Sequence, residues 1–142
     1  MVHICSIACH IQNLAMNYNI LDLFMKENDA WEDMISRQKV ELPLLDKMIT
    51  GIMEEMKMKD HSKRVFTHLR QEMEVQEKQM EDLERELQKQ QDFLERQRRQ
   101  LGEDPYSINT FFSQKILRER IKDVEKNFVE LKCNYLNYIA TI

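Results

Sequence analysis

An all-α chain of long helices, paired as an extended coiled-coil hairpin or three-helix bundle, is predicted by three observations. Only Gly51 and Gly102 as glycines and Pro43 and Pro105 as prolines occur in 142 residues, too few to turn a sandwich, barrel or doubly wound sheet. Apolar side chains recur alternately three and four residues apart over most of the length, the rhythm of a coiled-coil stripe. Acid-before-base pairs stand four apart, at Glu74 and Lys78, Glu81 and Arg85, Asp92 and Arg96, and Glu95 and Arg99, the spacing that supports a solvent-facing helix surface.

The first stripe steps through Leu14, Asn17, Leu21, Phe24, Asn28, Trp31, Ile35, Gln38, Leu42, Leu45, Ile49, Ile52 and Met56. It predicts a heptad helix over 14–59, after an N-terminal segment 1–13 that frays. Pro43 deletes a backbone hydrogen bond and clashes one turn back, so this helix is expected to kink or split near Glu41–Pro43. The second stripe steps through Phe66, Leu69, Met73, Gln76, Met80, Leu83, Leu87, Gln90, Leu94, Gln97 and Leu101 and predicts a helix over 60–101. Asp60 or Ser62 can cap its free N–H groups. Gly102 suits the left-handed position after a helix, Asp104 suits an N-cap, and Pro105 suits a first turn, where its missing N–H costs nothing. A third helix is therefore expected within 102–142, its stripe running Leu117, Ile121, Val124, Phe128, Leu131, Tyr135, Tyr138 and Ile142.

Polar residues on the stripes, Asn17 and Asn28 on the first and three glutamines on the second, cost burial energy but select register and partner. Helices of about 40 residues are roughly 60 Å long, whereas a globule of this length has a radius of gyration of about 15 Å. An extended assembly follows, whose stripes need more apolar surface to cover them than one chain presents. A coiled-coil partner, the same chain or another, is therefore expected on Trp31, Ile35, Leu45, Ile49, Ile52, Phe66, Leu69, Met73, Met80, Leu83, Leu87, Leu94, Leu117, Ile121, Val124, Phe128, Leu131, Tyr135 and Tyr138. Trp31 is the best single candidate for an interface anchor, with a plain core position as the equal alternative. Ten methionines, several of them on the stripes, suit an adaptable apolar contact.

Several chemistries are disfavoured. A formal net charge of −4 argues against a general nucleic-acid binder, and the knot of Arg96, Arg98 and Arg99 sits among Glu95, Glu103 and Asp104, as on a solvated helix face. No glycine-rich phosphate loop occurs. The apolar runs are far shorter than the roughly 20 residues of a bilayer span, and the Met1–Cys5 start lacks the pattern of a signal peptide. A soluble intracellular chain with reduced Cys5, Cys9 and Cys133 is expected. Cys5, Cys9 and His10 could share a helix face around zinc, but they lack a C-x-x-C knuckle and a second ligand pair, so no metal or other cofactor is expected. His61 and His68 read as surface or helix-start histidines, Cys133 as a partly buried thiol. Phe111, Phe112 and Phe128 with the two late tyrosines read as core or interface, and no enzyme activity is expected.

Phe66-x-x-Leu69-x-Gln71-x-x-Glu74-Val75-Gln76, the acidic Glu81-Asp82-Leu83-Glu84 block, the turn before Pro105, Gln114-Lys115-Ile116 and Asn127-x-Val129-x-Leu131-Lys132-x-x-Tyr135-Leu136-x-Tyr138 occur in that order. In this succession residues 60–142 resemble the coiled-coil region of the fifty-eight-kilodalton channel nucleoporin family, with a gap of a few residues after Gln76. Asn28-Asp-Ala-Trp31-Glu-Asp-Met-Ile35 is similar to the sixty-two-kilodalton partner in that complex. The resemblance implies a structural subunit of the nuclear pore's central channel, located at the pore and paired through long helices with sixty-two- and fifty-four-kilodalton nucleoporins. This chain has no Phe-Gly dipeptide, so transport-receptor binding is not carried by it. The stripes alone fit a cytoplasmic cytoskeletal, centrosomal or kinetochore adaptor equally well.

Overall fold

A computed structural model describes residues 20–55, 60–101 and 108–141, and these form three helices. They are α1 (Ile20–Glu55), α2 (Asp60–Leu101) and α3 (Ile108–Thr141). Among the described residues there is no strand, and no helix is long and apolar enough to cross a membrane. Leu14, Asn17 and Met56 lie outside the described residues, as do Gly102, Asp104, Pro105 and the Cys5, Cys9 and His10 cluster.

The helices form a three-helix bundle whose directions follow from its cross-links. Lys39 pairs with Glu84 and Asp46 with Arg70, so α1 and α2 are antiparallel. Glu27 pairs with Arg118 and Glu41 with Lys132, each joining residues 91 apart, so α1 and α3 run parallel and in one register. Gln90 donates to Gln114 and Gln76 to the Val124 carbonyl, which sets α2 antiparallel to α3.

Each helix turns its stripe inward. The larger core holds Ile35, Leu42, Leu45 and Ile49 of α1, Phe66, Leu69, Met80, Leu83 and Leu87 of α2, and Leu117, Ile121, Val124, Phe128, Leu131, Tyr135 and Tyr138 of α3. Trp31, Met34, Met53, Met73 and Ile139 pack against its edge. A smaller core at the other end gathers Ile20, Leu21, Phe24, Met25 and Leu94 with Phe111, whose ring lies 6.1 Å from that of Phe24. Fully burying one such aliphatic or aromatic side chain contributes about 1.5–3 kcal/mol. Inward-facing stripes on three amphipathic helices therefore supply the main driving force.

Two expectations are corrected. Of the kink or split expected near Glu41–Pro43, the split is corrected: α1 continues from Ile20 to Glu55 with Pro43 inside it. Pro43 removes one N–H but sits at the edge of the buried face, while Leu42 and Leu45 on either side stay in the core. Proline's helix-breaking cost of about 3 kcal/mol is opposed there by packing on both flanks. Cys133, expected to be partly buried, is exposed, since it follows Leu131 by two residues and so points away from the α3 stripe.

Candidate functional site

The positions assigned to a partner are turned toward one another inside this chain. Ile35, Leu45, Ile49, Phe66, Leu69, Met80, Leu83, Leu87, Leu94, Leu117, Ile121, Val124, Phe128, Leu131, Tyr135 and Tyr138 are buried in the bundle, and Trp31, Ile52 and Met73 are half-buried. One chain has enough apolar surface after all, because parallel α1 and α3 share α2 between them. The surfaces left for other molecules are the grooves and outer faces.

Between the two apolar cores lies a polar layer built by all three helices. Gln114 Nε2 of α3 donates to Asn28 Oδ1 at 2.8 Å and Glu27 Oε1 at 2.9 Å on α1, with the Phe24 carbonyl at 3.5 Å. Gln90 Nε2 of α2 donates to Gln114 Oε1 at 3.3 Å. Asn28 Nδ2 donates to Gln91 Oε1 at 3.2 Å. Arg118 closes the layer with two bonds to Glu27, Nε to Oε2 at 2.9 Å and Nη2 to Oε1 at 2.8 Å, a forked geometry that holds both side chains in plane. The buried amides of Asn28 and Gln114 thus find partners, which offsets the desolvation that would otherwise oppose them.

A second polar cluster lies toward the far end. Arg70 of α2 grips Asp46 of α1, Nε to Oδ1 at 3.0 Å and Nη2 to Oδ2 at 3.0 Å, and also donates to Thr50 Oγ1 at 3.0 Å. Its guanidinium lies 4.7 Å above the Phe66 ring, which stacks on Tyr138 at 6.0 Å. The Tyr138 hydroxyl donates to the Ser62 carbonyl at 2.7 Å. The Tyr135 hydroxyl reaches Asp46 at 3.4 Å. Burial, then the negative charge of Asp46, pushes the Tyr135 phenol far up, so it stays a neutral donor.

The remaining candidates are surface features. Arg98 of the basic knot pairs with Asp22 across to α1 at 2.9 Å, and Arg99 with Glu95 at 3.8 Å. Arg85 pairs with Asp82 rather than Glu81. His68 meets Glu72 at 2.9 Å, and His61 is exposed. Among the described residues no cluster of His, Cys, Asp and Glu could hold a metal ion. A groove of about 450 Å³ between α2 and α3 is lined by amides and acids, including Gln71, Gln79, Asn127, Glu130 and Asn134.

Gln114 and Thr110, both fully buried, were missed from the sequence. The third stripe continues backward through them at the same spacing, but their polarity hid the continuation. Val40, Leu44 and Met48, exposed at intervals of four on α1, form a second apolar line. Comparison with protein-family models, with curated proteins and with solved structures finds no match to this chain.

Two predictions come from these side chains. Gln38 is buried on the α1 stripe with its Oε1 lacking any hydrogen-bond partner. Gln38→Leu should therefore raise the urea-unfolding free energy by about 1–2 kcal/mol, because an unsatisfied buried acceptor is removed. Burial, then neighbouring acids, holds two carboxyls above their usual range: Glu77 beside Glu81, Glu74 and Asp46, and Glu32 beside Asp29, Glu84 and Asp33. The folded state binds these protons more tightly than the unfolded chain, so ionisation opposes folding above the raised values and this opposition fades as pH falls. Glu77→Gln should melt at higher temperature than the parent at pH 7, with the gap closing by about pH 4; a gap that widens on acidification would contradict the sign.

Proposed function

We propose that this chain is a non-enzymatic helical assembly module, a three-helix rod that binds other helical proteins through its outer faces. The observation that carries the reading is the line of exposed apolar side chains on a bundle whose own stripes are already covered: Val40, Leu44 and Met48 on α1, with Val129 and Leu136 on α3. Such lines have no role in folding the chain and are suited to contact with another protein. The 42 residues of α2 extend for about 63 Å, a length that suits a spacer or strut. The polar clusters near both ends make that strut stiff.

The resemblance to the fifty-eight-kilodalton channel nucleoporin family supplies the location: a subunit in the helical framework of the nuclear pore's central channel, beside sixty-two- and fifty-four-kilodalton nucleoporins. Quantitative proximity labelling and reciprocal co-purification of the tagged full chain test this. Enrichment of the channel nucleoporins over microtubule and centrosome components is expected. Enrichment of centrosomal or kinetochore proteins in their place would overturn the pore location, and failure to bind any helical protein would overturn the assembly reading itself.

A further inference from the structure

Val40, Leu44 and Met48 of α1 are 61%, 58% and 53% exposed, and Gly51 continues their line. A Cβ at Gly51 would meet nothing within 4 Å, so no packing inside the chain calls for a glycine there, although one in a helix interior costs about 1 kcal/mol relative to alanine. On α3, Val129 and Leu136 are 51% and 46% exposed. The ion pair of Glu41 with Lys132 places the two lines side by side. Glu41 stands three residues before Leu44, and Lys132 three after Val129 and four before Leu136, so each pair shares a helix face. Because α1 and α3 are parallel with an offset of 91, Leu44 and Leu136 stand at nearly the same height.

We propose that this α1/α3 face docks a second copy of the chain, antiparallel, about a two-fold axis at the level of Leu44. The charges beside the apolar line choose both occupant and direction. Along the outer face of α1 the order is Asp33, Arg37, Glu41, Lys47, Glu54 and Glu55. With the second copy reversed about Leu44, Leu44 meets Leu44 and Val40 meets Met48. Lys47 then meets Glu41, and Arg37 passes over the bare Gly51 to reach between Glu54 and Glu55, where it offsets the approach of Asp33 to Glu55. Every contact off the axis occurs twice, as an isologous interface requires, and Leu44 meets its own copy once on the axis. A parallel copy would set Lys47 on Lys47 and Glu54 on Glu54. From Val40 to Gly51 the strip is about 17 Å long and two helices, about 20 Å, wide. That is below the roughly 800 Å² per partner of a standard tight complex, so the association is weak.

The inference deepens the assembly reading and rests on it. Sedimentation equilibrium of the full chain from about 1 μM to about 1 mM should show a reversible monomer–dimer equilibrium. Leu44→Glu should weaken it at least about tenfold without changing the melting temperature or helical content, because Leu44 faces outward. Val75→Glu, on the exposed side of α2, should leave it unchanged. With Cys5, Cys9 and Cys133 replaced by serine, mixed Val40→Cys and Met48→Cys chains should cross-link to each other in preference to themselves. A chain that stays monomeric to about 1 mM, a dimer indifferent to Leu44→Glu, or preferential self-linking of Val40→Cys would each overturn the proposal. A monomer that still co-purifies with a helical partner overturns this inference and leaves the assembly reading standing.

Discussion

Register is the constraint on which the bundle depends. A heptad stripe repeats every seven residues, so sliding α3 along α1 by one heptad would bury nearly the same apolar area and leave the hydrophobic term almost unchanged. Polar and charged groups decide between these alternatives. In the observed register Glu27 meets Arg118 and Glu41 meets Lys132, while Glu125 falls at the level of Met34 between them. A one-heptad slip in either direction brings Glu125 to Glu27 or to Glu41, acid against acid. The same slip withdraws Gln114 from Asn28 and leaves buried amides without partners, at a cost of about 1–3 kcal/mol each. Apolar burial folds the chain, and the Asn28, Gln114, Glu27 and Arg118 layer selects which fold.

Much of the architecture can be read from spacing. The described positions of the first two stripes are buried or half-buried wherever their side chains are described, and those of the third are buried, because period and burial are two views of one helix face. What spacing does not encode is the identity of the surface opposite. A stripe that would suit a separate partner serves equally well against a neighbour joined by a short connection, so Leu83 and Leu131 turned out to face this chain's own helices. Gln114 and Thr110 lay on the stripe but were passed over for their polarity, and the bonds that hold Gln114 reach residues far away in sequence. Asp46, Arg70 and Tyr135 come from three helices and share no local pattern, so their cluster was invisible before the helices were aligned. Pro43 lies inside α1 without dividing it, since a single-residue rule carries no information about the packing on either side.

The functional consequence is a division between inside and outside. The inner stripes are engaged with one another, and the side chains that look chemically active, such as the Tyr135 phenol and the Arg70 guanidinium, are held by Asp46. In the proposed assembly reading, contact with other molecules falls to the outer line on α1, its counterpart on α3 and the charges beside them. A binding role and a stable fold then draw on different residues. Outer positions can be substituted without unfolding the chain, and the core can be weakened without redesigning the outer surface.

The register of the bundle rests most directly on the coupling between Asn28 and Gln114, 86 residues apart on α1 and α3. A double-mutant cycle with Asn28→Ala, Gln114→Ala and the double variant, followed by chemical unfolding of the monomer, measures it. The polar layer predicts a favourable coupling of about 1–3 kcal/mol. Additive effects, with no coupling beyond error, would mean that the two side chains do not meet and that the helices are aligned in some other way.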